Sequence, residues 1–169
     1  TTANVSNDVL ALGYHRLGFD LLNRKTGHIT HLPEDAEGDQ GATLATTSGT
    51  AAHKDLWLGT FYGFGLFHYN RATSRFTRYQ HNPLDKNSIS AGSIFSLFKD
   101  REGNLWIGMG LDHGLDFFDR KNNQFIHHRY DPSDKHSIDF NIVFSIMEDR
   151  QGNIWMGTDN GLNGYDKRT

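Results

Sequence analysis

The chain has 169 residues, which is enough for one ordinary domain with a hydrophobic core. A formal net charge of -3 offers no basic surface for nucleic acid, no apolar run approaches the roughly 20 residues of a membrane helix, and the absence of cysteine excludes disulfides and thiolate metal sites. With 18 Gly and 12 Phe against 3 Pro, the composition favours strands joined by tight turns.

The first part of the chain predicts a short unit of three strands over residues 10–32. The opening residues, TTANVSNDVL, lack the basic and then apolar pattern of a signal peptide. GFDLLN and HITHL flank the turn RKTG and predict a hairpin. Ala11 stands where the later units carry tryptophan, so this unit is interpreted as a degenerate copy.

The second unit spans residues 41–81 and predicts four strands. Its beginning, GATLATTSGTAAHKDLW, is rich in Ala and Thr and lacks the Asp-x-x-Gly-Asn turn of the later units. GLFHYN and RFTRYQ flank the turn RATS, which predicts a second hairpin.

The third and fourth units span residues 90–130 and 139–169. SIFSLFKD, the turn DREGN, NLWIGM, GLDFFD and QFIHHRY predict four strands in the third unit. IVFSIMEDRQGNIWMGTD repeats the beginning of this scheme, and three strands are expected before the chain ends.

The repeat has a constant period. Trp57, Trp106 and Trp155 follow one another at intervals of 49 residues. A period of this length with four antiparallel strands per unit is typical of β-propeller blades. The chain is therefore predicted to be all-β, a partial propeller of about three and a half blades over residues 1–169, belonging to a ring of about seven blades. A homodimer that closes such a ring is kept as an alternative, although the ends do not favour it, because two three-stranded ends would make six strands rather than one blade.

These residues resemble the regulator-propeller repeats of hybrid two-component sensor histidine kinases. The resemblance lies in SIFSLFKDREGNLWIGMGLDHGLDFFD, in NIVFSIMEDRQGNIWMGTDNGLNGYD and in the linkers NPLDKNSIS and DPSDKHSID, and it covers most of residues 10–168. It implies a periplasmic sensor region whose ligand is an oligosaccharide and whose partners are the remaining blades and the kinase region of the same protein. No cofactor, metal, nucleic acid or membrane contact is expected within this chain.

Several repeated residues are predicted to be structural. A large ring at a fixed strand position is best explained by packing between blades. A carboxylate and a glycine at fixed places in a turn are best explained by the turn itself. The residues concerned are Trp57, Trp106, Trp155, Asp100, Asp149, Gly103 and Gly152.

The loops between the second and third strands do not repeat. They read TFYGFG (60–65), MGLDHG (109–114) and TDNG (158–161). Because function on a regular scaffold is carried by its variable loops, their side chains are the candidate ligand-binding residues. These are Phe61, Tyr62, Phe64, Asp112, His113, Asp159 and Asn160.

Other chemistry has weaker support. GMGLDHG has the wrong spacing for a nucleotide loop, and the adjacent His127 and His128 point to opposite strand faces and cannot chelate one ion together. No catalytic residues are predicted. Two alternatives to a sensor remain: a propeller enzyme such as a lyase or glycan-cleaving protein, and a scaffold that binds another protein or a second copy.

Overall fold

The computed structural model describes residues 2–6, 9–13, 19–31, 43–47, 55–61, 63–70, 73 and 75–167. In these ranges the regular structure is entirely strand. The strands are β1 (Thr2–Ser6), β2 (Val9–Gly13), β3 (Phe19–Asn23), β4 (Ile29–His31), β5 (Thr43–Thr47), β6 (Asp55–Thr60), β7 (Leu66–Asn70), β8 (Arg75–Tyr79), β9 (Ile94–Lys99), β10 (Leu105–Met109), β11 (Leu115–Asp119), β12 (Gln124–His128), β13 (Val143–Glu148), β14 (Ile154–Thr158) and β15 (Gly161–Tyr165).

The strands form four antiparallel sheets, each a simple meander. The orders are β1-β2-β3-β4, β5-β6-β7-β8, β9-β10-β11-β12 and β13-β14-β15. The first strand of each sheet contacts the first strand of the next, so the sheets succeed one another around a common axis with β1, β5, β9 and β13 innermost. The predicted all-β propeller fragment is confirmed by this arrangement.

The first sheet corrects the predicted strand count. The sequence predicted three strands over residues 10–32, but Thr2–Ser6 adds a fourth by pairing with β2. The segment TANVS is short and polar, and it becomes a strand because β2 offers it a free edge.

Both faces of a central sheet are buried. Leu105, Ile107 and Met109 of β10 pack with Trp57 against the second sheet, while the intervening Trp106 packs against the last sheet. Alternate residues of a strand point to opposite faces, so a strand covered on both sides becomes almost continuously apolar. This explains the run LWIGM, which lacks the alternation of a half-exposed strand.

Two strand glycines set the distance between neighbouring sheets. A Cβ on Gly59 would lie 2.6 Å from Cγ2 of Ile94, and a Cβ on Gly108 would lie 2.4 Å from the backbone oxygen of Val143. Both glycines therefore allow the second strand of one sheet to approach the first strand of the next.

Candidate functional site

The turn between the first and second strands is a single hydrogen-bonded unit. Oδ1 of Asp100 accepts the backbone N–H of Asn104 at 2.8 Å, and Oδ2 accepts the indole N–H of Trp106 at 3.0 Å. Gly103 supplies the left-handed backbone that the turn requires, with φ of +87°. The motif Asp-x-x-Gly-Asn-x-Trp is therefore explained by local structure.

The last sheet repeats this unit. Oδ1 of Asp149 accepts the backbone N–H of Asn153 at 2.9 Å, and Oδ2 accepts the indole N–H of Trp155 at 2.9 Å. Gly152 again has a left-handed backbone. The hydrogen bond from Trp155 is the main reason why the pKa of Asp149 is lowered to about 2.

Sequence reasoning did not anticipate the bond between the aspartate and the tryptophan. It assigned the ring to packing and the carboxylate to the turn. Trp57 and Trp106 are indeed buried between sheets. The constant spacing of six residues between Asp100 and Trp106, and between Asp149 and Trp155, was the available signal.

A lysine joins the turns of the last two sheets. Nζ of Lys167 donates to Oδ2 of Asp100 at 2.7 Å and to Oε1 of Glu148 at 3.1 Å. The other oxygen of Glu148 accepts the backbone N–H of Arg101 at 2.9 Å. Burial alone would raise the pKa of Asp100, but its hydrogen bonds from Lys167, Trp106 and Asn104 lower the pKa instead.

The variable loops lie at the opposite end of the strands, together with the linkers between sheets. The backbone N–H of Gly65 donates to the carbonyl of Gly92 at 3.1 Å, and that of Gly114 donates to the carbonyl of Asn141 at 2.7 Å. The loops of the second and third sheets are thus held against the linkers that enter the following sheets. We call this end the loop face and define it by residues 60–65, 109–114 and 158–161.

The loop of residues 109–114 has an unusual backbone. Leu111 and Asp112 both adopt a left-handed conformation, with φ of 55° and 67°. Non-glycine residues rarely do so, and such strain is concentrated at functional positions. Leu111 is also 65% exposed, which is unusual for a leucine in a scaffold role.

The acidic and amide candidates on the loop face are accessible. Asp112, Asp159 and Asn160 are exposed. The backbone N–H of Asn160 donates to Oγ1 of Thr158 at 3.3 Å, which shapes the short fourth-unit loop. These side chains can offer carboxylate and amide groups to a polar ligand.

His113 has a different environment from the exposed candidates. Its Nδ1 is buried and makes no hydrogen bond within the described part of the chain. Burial lowers the pKa of His113, and the positive charge of Arg129 lowers it further. A neutral imidazole at this place can donate with one nitrogen and accept with the other.

The aromatic candidates divide into two groups. Phe61 is half-buried and stacks on Phe95 with ring centroids 5.1 Å apart. Phe64 instead supports Arg78, whose guanidinium lies 5.8 Å from the ring centroid and donates to the Phe64 carbonyl at 2.9 Å. Tyr62 lies outside the described residues.

The structure adds an aromatic contact that sequence reasoning missed. Phe95 also lies 5.5 Å from Phe144, measured between ring centroids. These two residues are 49 positions apart and occupy the same place in the repeat. Both residues lie in strands that repeat, and the repetition predicted a scaffold role for those strands.

A buried ion pair connects a fourth strand to its linker. Oδ1 of the fully buried Asp116 accepts from Nδ1 of His127 at 2.6 Å, and Oδ2 accepts the backbone N–H of Ser90 at 2.7 Å. Nε2 of His127 lies 3.0 Å from the carbonyl of Lys86. Because both ring nitrogens face acceptors, the hydrogen bond to Asp116 raises the pKa of His127. His127 therefore ties β12 to the linker that enters its own sheet.

A cavity of about 580 Å³ lies away from the loop candidates, beside β12, β15 and the linker between their sheets. Its lining includes His128, Tyr130, His136 and Tyr165. In the third sheet, the fourth strand β12 contacts the linker that enters its own sheet, because the N–H of Phe125 donates to the Asn87 carbonyl at 2.9 Å. The cavity lies against the corresponding linker of the last sheet, at the position that β12 occupies in the third sheet. We therefore relate the cavity to strand packing rather than to ligand recognition.

Within the described ranges, no group of three His, Cys, Asp or Glu side chains has a metal-binding arrangement. No helix there is long and apolar enough to cross a membrane.

The family model described as "two component regulator propeller" matches residues 88–110 and 137–160. Among curated protein sequences, none matches the chain. Both matched segments contain the Asp-x-x-Gly-Asn-x-Trp turn.

The chain is also similar to solved structures. The extracellular domain of the hybrid two-component system BT3049 from B. thetaiotaomicron is 24% identical with a TM-score of 0.72, and the match covers 97% of this chain and 19% of that one. The extracellular domain of the one-component system BT4673 from the same organism is 23% identical with a TM-score of 0.74, covering 97% and 21%. A virginiamycin B lyase from Staphylococcus aureus is 14% identical with a TM-score of 0.64, covering 99% and 55%. The chain spans about a fifth of the length of the first two structures, and at these identities the likeness shows the fold.

Proposed function

Because residues 88–110 and 137–160 match the family model of the two component regulator propeller, we propose that the chain is part of a ligand-sensing propeller that binds an oligosaccharide on its loop face. In this proposal the chain acts by binding rather than by catalysis. It lies outside the cytoplasm, in the periplasm, and passes a conformational signal through the rest of its protein to a histidine kinase. The extracellular domains of hybrid two-component systems that share its fold support this location.

The observation that carries the proposal is the contrast between the two ends of the sheets. At one end, Asp100 and Asp149 make the same hydrogen bonds in successive repeats. At the other end, the loops differ in length, composition and backbone, with left-handed Leu111 and Asp112 in one of them. Features that repeat in every sheet maintain the scaffold, whereas loops that differ between sheets at one end favour ligand recognition at that end.

The chemistry of the loop face suits a polyhydroxylated ligand. Carboxylate and amide groups such as Asp112, Asp159 and Asn160 accept and donate hydrogen bonds to hydroxyls. Aromatic rings nearby provide flat apolar surface, which complements the C–H face of a sugar ring. Ligand pockets in general combine such apolar surface with a few polar groups.

Titration calorimetry of the protein against a panel of oligosaccharides from different polysaccharides tests the proposal. We expect at least one member to bind, and we expect Asp112→Ala and His113→Ala to weaken its binding. Gln151→Ala, which changes an exposed residue of a turn at the opposite end of the sheets, should leave the affinity unchanged. The absence of binding across the panel would refute an oligosaccharide ligand.

A further inference from the structure

One position on the fourth strand carries a basic residue in three of the sheets. The residues are His31 of β4, Arg78 of β8 and His127 of β12, and each stands directly opposite the second residue of the third strand. In the first sheet the opposite residue is Asp20, whose Oδ1 lies 3.0 Å from Nδ1 of His31. In the third sheet Oδ1 of Asp116 lies 2.6 Å from Nδ1 of His127. In both of these sheets the protein itself supplies a carboxylate to the basic side chain.

The second sheet keeps the basic residue but lacks the carboxylate. Phe67 stands opposite Arg78, and the guanidinium lies 5.3 Å from the Phe67 ring centroid and 5.8 Å from that of Phe64. An aromatic face attracts a cation, but it carries no negative charge to neutralise it. Within the described part of the chain, no Asp or Glu side chain pairs with Arg78. Its charge is therefore left without the acidic partner that the repeat supplies in the first and third sheets.

The guanidinium of Arg78 is fixed in place while most of its donors stay free. Its Nε–H donates to the carbonyl of Phe64 at 2.9 Å, and the side chain is half-buried. The N–H groups on Nη1 and Nη2 make no hydrogen bond within the described ranges. These N–H groups lie in the plane of the guanidinium and form a fork that fits two oxygens of one anion. Because the side chain is already held, binding an anion there costs little further ordering.

Arg78 lies at the rim of the loop face. The carbonyl that it contacts belongs to the loop of residues 60–65, and β8 is the outermost strand of its sheet. The exposed candidates of the loop face offer carboxylate and amide groups, which suit hydroxyls. A sugar chain on this face can therefore present hydroxyls to the loops and an acidic substituent to the rim.

We propose that Arg78 is the anchor for an anionic group of the ligand, so that the oligosaccharide carries carboxylate or sulfate groups. This inference rests on the proposed function and narrows its ligand class. Nη1 and Nη2 of Arg78 donate to two oxygens of the anion. The ligand thus takes the part of the acidic partner that the first and third sheets supply from their own third strands.

Titration calorimetry with matched pairs of oligosaccharides tests the proposal. Oligogalacturonides are compared with their methyl esters, and sulfated oligosaccharides with their desulfated forms, so that the members of a pair differ mainly in charge. We expect the unaltered protein to bind at least one acidic member about tenfold or more tightly than its uncharged counterpart. The pair that shows this preference identifies the recognised group as a carboxylate or a sulfate.

Two arginine variants locate the preference on the protein. Arg78→Gln removes the charge and should abolish the preference, while the uncharged counterpart still binds within about threefold of its original affinity. Arg75→Gln is the matched control, because Arg75 is an exposed arginine at the other end of β8. Its replacement should leave both affinities unchanged. Circular dichroism and thermal unfolding show whether each variant keeps the fold.

The comparison of charged and uncharged ligands on the unaltered protein needs no variant. If uncharged oligosaccharides bind as tightly as their acidic counterparts, the anion site is refuted while the proposed function stands. A folded Arg78→Gln variant that keeps the full preference also refutes the anion site, and so does an Arg75→Gln variant that loses the preference as fully as Arg78→Gln. If no oligosaccharide of either kind binds, the proposed function fails and this inference fails with it.

Discussion

Replacing Lys167 by methionine should destabilise the protein by disconnecting two sheets. The lysine side chain is 15% exposed, and it reaches the carboxylates of Asp100 and Glu148, whose side chains are 0% and 5% exposed. Methionine keeps most of the apolar stem but removes the charge. Two carboxylates that are almost out of contact with water would then lose their shared cation.

The expected loss of stability depends on the hydrogen bonds that the two carboxylates keep without the lysine. Removing one partner of a buried ion pair costs about 3–5 kcal/mol, whereas an exposed pair contributes about 0.2–1 kcal/mol. Asp100 retains its hydrogen bonds from Asn104 and Trp106, and Glu148 retains the N–H of Arg101. We therefore expect Lys167→Met to lower the free energy of unfolding by about 2 kcal/mol.

Urea denaturation followed by tryptophan fluorescence measures this change. Arg101→Met is the matched control, because Arg101 is 59% exposed and its Nε lies 3.7 Å from Glu148. It should cost no more than about 0.5 kcal/mol. Equal effects of the two substitutions, or an effect of Lys167→Met below about 0.5 kcal/mol, would refute the reasoning.

The same contact has a pH dependence. The pKa of Asp100 in the folded protein lies below its ordinary value of 3.8. Its charged form is therefore favoured by folding, so the stabilisation is present above about pH 4 and is lost as the pH falls below that value. Lys167→Met should reduce this loss when unfolding is measured between pH 5 and about pH 3.

Three further predictions concern single residues. Trp106→Phe keeps an aromatic ring but removes the donor to Asp100, and it should cost about 1–3 kcal/mol in urea denaturation. Asp116 raises the pKa of His127 above 6.5, so the ion pair stabilises the folded protein below about pH 6.5 and this stabilisation is lost as the pH rises. His127→Gln should therefore remove the pH dependence of the unfolding free energy that comes from this ion pair. Gly108→Ala would force a Cβ against the Val143 backbone and should cost about 3 kcal/mol, measured by thermal or urea unfolding.

Each of these predictions has a control in the same chain. Trp155→Phe should cost less than Trp106→Phe, because Trp155 is only half-buried. Gly103→Ala meets no atom closer than 3.8 Å and should cost only about 1 kcal/mol for its left-handed backbone. Equal costs at Gly103 and Gly108 would contradict the close-approach argument. An unchanged pH slope in His127→Gln would contradict the role assigned to the ion pair.

The sequence was sufficient to predict the scaffold. The period of 49 residues, the turn DREGN and its copy DRQGN, and the alternation of short apolar runs all act locally. Hairpin turns and strands are specified by residues close together in the chain, so their patterns can be recognised in the sequence. TANVS was missed because its strand depends on pairing with β2 and has little propensity of its own.

The candidate site was only partly predictable. The contrast between repeated strands and variable loops identified Asp112, His113 and Asp159 as candidates for binding. Phe95 and Phe144 lie within strands that repeat, so the contrast between repeated strands and variable loops did not predict the contact between their rings.

The sequence by itself determined the blade as a unit, its period of 49 residues and the end of each blade where the copies stop agreeing. The tertiary structure decided which side chains meet across blades: Lys167 with Asp100, and Phe95 with Phe61 and Phe144. The physical reason is one of range. Turns and strand alternation depend on residues close in the chain, whereas ion pairs and ring contacts between sheets depend on the distance and register at which whole sheets pack.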